Sequence, residues 1–158
     1  MNDARDRATD PRTIEPAMLE VTSVRVEAGL WIGGCRAAVP DEVTVVVTLE
    51  QAATPVTGAG VTEVREPFLD SRWQPVDHAR VTAAFQAVMR ASDTGVLIRC
   101  RHGLNRSALI AVLVLVARGW PTDDAVEAVR RARPGALSNP YFADLVETWP
   151  EDPMGDRR

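Results

Sequence analysis

The segment Ile98 to Leu109 reads I-R-C-R-H-G-L-N-R-S-A-L, an apolar strand end running into a short polar loop and then into the most apolar stretch of the chain. A loop wrapped at a helix N-terminus turns successive backbone N–H groups toward one point, and the helix dipole adds positive potential there. Such a point binds an anion. Gly103 allows a backbone turn that a side chain would obstruct, and Arg106 offers a planar fork able to hold two phosphate oxygens. Cys100, at the strand end, is expected to face the same centre as a nucleophilic thiolate, because amides and dipole favour the charged form. Ser107 can donate to that sulfur and stabilise it again as a leaving group. At this composition, glycine at +3, arginine at +6 and a hydroxyl at +7 coincide by chance for about one cysteine in a thousand.

Positioning such a loop requires a sheet and a buried helix, and the pattern of the chain supplies both. Ser23 to Val26 and Leu30 to Ile32 flank Glu27-Ala28-Gly29 as a strand, turn and strand. Val43 to Leu49 is a β-branched run suited to a strand covered on both faces, Val61 to Glu66 alternates as another strand, and Val96 to Cys100 is the last. A helix with Pro75 in its first turn reaches about Ala91, its apolar side given by Val81, Phe85, Val88 and Met89. Ser107 to Arg118 is apolar all round, which places that helix centrally, and Gly119 ends it. Thr122 is the expected cap of the next helix, with Asp123 and Asp124 at its start and Arg130, Arg131 and Arg133 at its end to match the macrodipole. Asn139 and Pro140 open a final helix with Phe142, Leu145, Val146 and Trp149 on one face. The expected organisation is a flexible lead-in over 1–20, one α/β domain over 21–150 and a flexible tail over 151–158. Its centre is a mixed, mostly parallel sheet with helices on both faces and the site at the C-terminal end of the last strand.

Composition narrows the function further. The 158 residues carry a formal net charge of −4 with 18 basic residues, all arginine, which argues against a general nucleic-acid binder. Two cysteines and two histidines lack metal-site spacing, so neither a metal nor another cofactor is expected, and reduced thiols point to the cytoplasm. The ten-residue apolar stretch Ala108 to Ala117 is too short for a membrane span.

The C-x5-R-S pattern resembles that of the cysteine-dependent phosphatases, and the surrounding chain looks like their compact dual-specificity branch. Leu30-Trp31-Ile32-Gly33 is similar to that family's opening strand, and Arg133-Pro134-Gly135 through Asn139-Pro140-Tyr141-Phe142 to its closing helices. The resemblance implies a dual-specificity-phosphatase-like fold and hydrolysis of phosphate monoesters through a phosphocysteine. It assigns Cys100 as nucleophile, Arg106 as phosphate clamp, Ser107 as thiolate partner and Asp70, thirty residues before the cysteine, as general acid. Arg101, His102, Gly103, Leu104, Asn105 and Arg106 would then form the phosphate-binding loop. The implied partner is a phosphoprotein, with a phosphorylated small molecule or RNA end as the alternative. The string H-G-L-N-R also looks like the loop of metazoan RNA 5′-triphosphatases.

One position departs from the pattern. Arg99 stands where the family places histidine, either replacing it electrostatically or marking a weakened enzyme or a phosphate-binding pseudophosphatase. Arg72, Arg99, Arg101 and Arg106 are expected to form a basic rim that favours multiply charged substrates. Asp77 is a competing acid but reads as a first-turn helix carboxylate, His78 reads as structural, and Cys35 reads as a packed thiol, with a resolving disulfide to Cys100 as the alternative. Trp73 either covers the substrate or packs on the core.

Overall fold

The computed structural model describes residues 15–91 and 93–149. Helix α1 (Pro16–Val21) leads into the hairpin β1 (Ser23–Glu27) and β2 (Leu30–Gly33), closed by Gly29 at a φ of 76°. Then follow β3 (Val43–Thr48), β4 (Thr62–Arg65), α2 (His78–Arg90), β5 (Gly95–Arg99), α3 (Arg106–Ala117), α4 (Thr122–Ala132) and α5 (Pro140–Thr148). The sheet order is β1-β2-β5-β3-β4, antiparallel at β1/β2 and parallel elsewhere, as the patterning anticipates.

The last strand lies at the centre of the sheet. β5 is flanked by β2 and β3, so the residues that follow it emerge between two other strand ends. Leu30, Ile32, Val47 and Ile98 turn toward a core built with α2, α3, α4 and α5. α3 is buried from Arg106 to Leu115, the environment that an all-round apolar helix demands.

The helices are not distributed over both faces as the sequence suggests. Val43, Val46 and Leu97 turn to the other face, where Trp31, Val39, Val56 and Val61 cover them, and none of these belongs to a helix. The connections on either side of β3 and β4 do this work because they carry their own apolar residues. α1 forms inside the segment read as a lead-in, with Leu19 buried; residues 1–14 and the tail over 151–158 lie outside the described residues.

Cap chemistry decides two helix starts. Asp77 Oδ1 accepts from the Arg80 amide, and Asn139 Oδ1 accepts from the Tyr141 amide with Pro140 in the first turn. α4 differs from expectation: Pro121 is its N-cap and Thr122 is already helical, with no side-chain cap bond. Arg133 also differs, because it leaves the helix axis and buries its guanidinium under the loop that follows β5.

Candidate active site

Four of the six carbonyl groups of the loop Cys100 to Asn105 accept hydrogen bonds from residues outside it. The Arg101 carbonyl accepts from Cys35 N at 3.0 Å, the Leu104 carbonyl from Leu137 N at 2.9 Å and the Asn105 carbonyl from Leu109 N at 2.8 Å. Arg133 Nη2 donates to the His102 carbonyl at 2.7 Å. Among the described residues, none of the amides of Arg101 to Asn105 has a protein acceptor. A loop with carbonyls engaged outside and amides left inside is an anion nest, set here at the N-terminus of α3. Gly103 makes the turn possible: its φ is 66°, and a Cβ there would come within 2.9 Å of the Gly33 carbonyl carbon.

Side chains complete the nest. Cys100 is 3% exposed, and its amide donates to the Gly33 carbonyl at 3.2 Å. Ser107 Oγ and Arg106 Nε are buried without a protein partner. The rest of the Arg106 guanidinium is held from the far side: Nη1 donates to the Leu49 and Phe68 carbonyls at 3.2 Å each, and Nη2 to Glu50 Oε2 at 2.5 Å. Three protein bonds leave Nε–H and one Nη2–H for an anion. Burial alone would raise the Glu50 carboxyl, but the hydrogen bond and charge of Arg106 outweigh it and hold the group below the ordinary range.

Asp70 sits on the connection between β4 and α2, exposed, with Oδ1 accepting from Asn139 Nδ2 at 2.7 Å. Asn139 Nδ2 also donates to the Ser71 carbonyl at 3.1 Å, and Asn139 N donates to Asn105 Oδ1 at 2.9 Å. One buried residue thus ties the candidate acid, through its side chain, to the anion loop, through its backbone amide. A cleft lined by Glu50, Gln51, Phe68, Asp70, Asp77 and Arg106 runs alongside. Asp77 is spent on its cap and on Arg80, and His78 is the exposed first residue of α2. Trp73, 91% exposed, does not pack on the core.

Arg99 is the main correction. It is 2% exposed and belongs to no rim: Nη2 donates to Glu63 Oε2 at 2.8 Å, Thr54 O at 2.9 Å and Thr48 Oγ1 at 3.0 Å, and Nη1 to Cys35 O at 3.2 Å. Alternation along β5 sends this side chain to the loop-covered side of the sheet. Burial lowers the Arg99 guanidinium below its usual range, and Glu63 opposes that shift. Arg101 lies 3.7 Å and His102 3.8 Å from Glu20, so the rim is partly neutralised. Cys35 is a free thiol that burial and Glu20 push up, in keeping with a packed, unreactive cysteine.

Sequence reasoning missed Glu50, Asn139 as an acid holder and Arg133 as a loop support. Glu50 alone left a signal, as a carboxylate following the C-terminal end of a parallel strand, where open α/β sheets gather ligand groups. Among the described residues no group of three or more His, Cys, Asp or Glu side chains could hold a metal ion, and no helix is long and apolar enough to cross a membrane.

No family model matches the chain. It is 32% identical over 137 residues to human dual specificity phosphatase 28, covering 81% of this chain and 77% of that protein. Mouse protein tyrosine phosphatase type IVA 3 is 28% identical over 103 residues, 62% of this chain and 58% of the relative. A mouse protein provisionally described as a dual-specificity phosphatase, crystallised with zinc tungstate, superposes with a TM-score of 0.68 at 26% identity, covering 89% of this chain and 90% of its own.

Proposed function

The chain belongs to the dual-specificity branch of the cysteine-dependent phosphatases and is a hydrolase of that type, and from this premise we propose that Cys100 carries its chemistry through a phosphocysteine intermediate. The observation that supports the assignment is that, among the described residues, the Arg101 to Asn105 amides, Ser107 Oγ and Arg106 Nε lack a protein partner in the loop and first helical turn that follow β5.

In the first step Cys100 Sγ attacks phosphorus, the bond from phosphorus to the leaving oxygen breaks, and Asp70 gives that oxygen its proton. The loop amides and Arg106 hold the equatorial oxygens as charge builds on them. In the second step Asp70, now a carboxylate, takes a proton from water as the water oxygen attacks phosphorus. The phosphorus–sulfur bond breaks, Ser107 Oγ–H donates to the departing thiolate, and inorganic phosphate leaves.

The substrate we favour is a phosphorylated protein side chain. Arg99 lies on the opposite side of the sheet and Arg101 faces Glu20, so the positive rim that would select a polyphosphate is reduced to Arg72 and Arg106. Arg106 is itself paired with Glu50. A cytoplasmic compartment, which keeps the Cys100 thiol reduced, is part of this reading. The test is turnover of an aryl phosphate and of phosphotyrosine and phosphothreonine peptides by wild type and Cys100→Ser. The serine variant should lose turnover while still binding tungstate, since a serine hydroxyl is not ionised at neutral pH. Hydrolysis by that variant above about 10% of wild type would remove Cys100 from the mechanism.

A further inference from the structure

Arg133 is 2% exposed, yet among the described residues it has no carboxylate partner. Its three protein bonds go to neutral oxygens: Nη2 to the His102 carbonyl at 2.7 Å and the Leu19 carbonyl at 2.8 Å, and Nη1 to Thr22 Oγ1 at 2.8 Å. Nε is buried without any partner. A guanidinium taken out of water and given no counter-charge is expensive to keep, and the fold must recover that cost from an anion nearby. Among the described residues, the other buried arginines meet this condition with Glu63 for Arg99 and Glu50 for Arg106.

The anion at hand is the one the reaction makes. Arg133 grips the loop at His102, two residues from Cys100. Burial lowers the Arg133 guanidinium below its ordinary range, and the charge of Cys100 works in the opposite direction. The position preceding Cys100, where the family carries a histidine, holds a guanidinium committed to the far side of the sheet. We propose that Arg133, reaching in from the end of α4, is a positioning residue whose buried positive charge sustains the Cys100 thiolate and the phosphorylated loop.

The inference rests on Cys100 being the nucleophile, and its test separates the two ideas. The remaining charged groups around Cys100 are Arg106 with Glu50 at the ends of α3 and β3, Asp70 and Arg72 on the loop before α2, and Arg101 and His102 with Glu20 beside α1. Arg99 with Glu63 lies behind β5, and α5 presents the neutral Asn139.

Cys100 alkylation by iodoacetamide, followed by mass spectrometry against pH, reads the thiolate without needing turnover; kcat/KM for an aryl phosphate is measured over the same range. In Arg133→Gln the alkylation profile should be displaced toward higher pH, so the rate on its rising limb should fall about tenfold while the plateau at high pH stays unchanged. The acid limb of kcat/KM should move with it. Arg133→Lys, which keeps the charge with fewer donors, should stay within about threefold of wild type on the rising limb even where its Tm falls. Both variants are compared below their Tm, and the lysine variant decides the matter if the glutamine variant does not fold. Profiles of either variant that drop equally at every pH, or a lysine variant displaced as far as the glutamine one, would overturn the role of Arg133 and leave Cys100 in place. Turnover above about 10% of wild type in Cys100→Ser would instead overturn the nucleophile assignment.

Discussion

Asn139 Nδ2 donates to Asp70 Oδ1 at 2.7 Å, joining two residues 69 positions apart, while Asn139 Oδ1 caps α5 through the Tyr141 amide. The side chain that starts the last helix therefore also fixes where the candidate acid stands. Asp70→Asn should slow phosphopeptide hydrolysis by roughly 10²–10⁴ and remove the alkaline limb of the pH–rate profile, with a smaller loss for an aryl phosphate whose leaving group needs less protonation. Asn139→Ala should reproduce the leaving-group dependence at smaller size and cost about 1 kcal/mol in a urea melt through the lost cap. A larger, leaving-group-dependent loss in Asp77→Asn would transfer the acid role to Asp77.

Arg106 carries its guanidinium on Glu50, Leu49 and Phe68 rather than free in the loop. Arg106→Lys should lower kcat/KM at least about a hundredfold, because an ammonium cannot hold two phosphate oxygens and three protein acceptors together. Glu50→Gln, which keeps an acceptor but not the charge, should lose about tenfold. A near-normal Arg106→Lys would mean that the guanidinium takes no part in phosphate binding.

Arg99 joins β5 to Thr48 on the adjacent β3, to Glu63 on β4 beyond it and to the Cys35 and Thr54 carbonyls. Restoring the family's histidine by Arg99→His should thus harm the protein, destabilising it by about 3 kcal/mol as Glu63 loses its partner. Denaturant unfolding of Arg99→His, Glu63→Gln and the double variant measures the coupling; a single-variant change below about 1 kcal/mol would show the pair to be dispensable.

Glu63 is a second group whose charge the fold depends on. Burial by itself would raise it, but the Thr48 hydroxyl, the Val56 amide and the Arg65 and Arg99 guanidinium groups together hold it below the usual carboxylate range, as Arg106 holds Glu50. The unfolded chain therefore binds protons at a higher pH than the folded one. Their stabilisation is complete above the ordinary glutamate value of about 4.3 and drains away as pH falls below it toward the lowered folded values. Urea midpoints taken from pH 7 to pH 3 should fall less steeply in Glu63→Gln; parallel curves would remove Glu63 from the acid response.

How much of this was legible depends on distance along the chain. The Cys100 to Ser107 loop could be read because strand, turn glycine, arginine and buried helix follow one another within a dozen residues, and local geometry is enough to make a nest of them. The β-branched run at Val43 to Leu49, the apolar helix after Arg106 and the Asn139-Pro140 helix start were equally local. The side to which a strand residue points was not, since Arg99 looks like a rim residue by adjacency and becomes a buried strut by the two-residue alternation of β5.

What the sequence by itself determined is the anion loop, the nucleophile candidate and the parallel sheet that presents them, because these follow from short-range backbone preferences and hydrophobic period. Tertiary structure alone decided the partners: Glu50 under Arg106, Asn139 on Asp70, Arg133 beneath His102 and Glu63 against Arg99. Each of these pairs spans 31 to 69 residues of chain, and a buried polar or charged group selects its partner by proximity in the fold, which no spacing along the chain encodes.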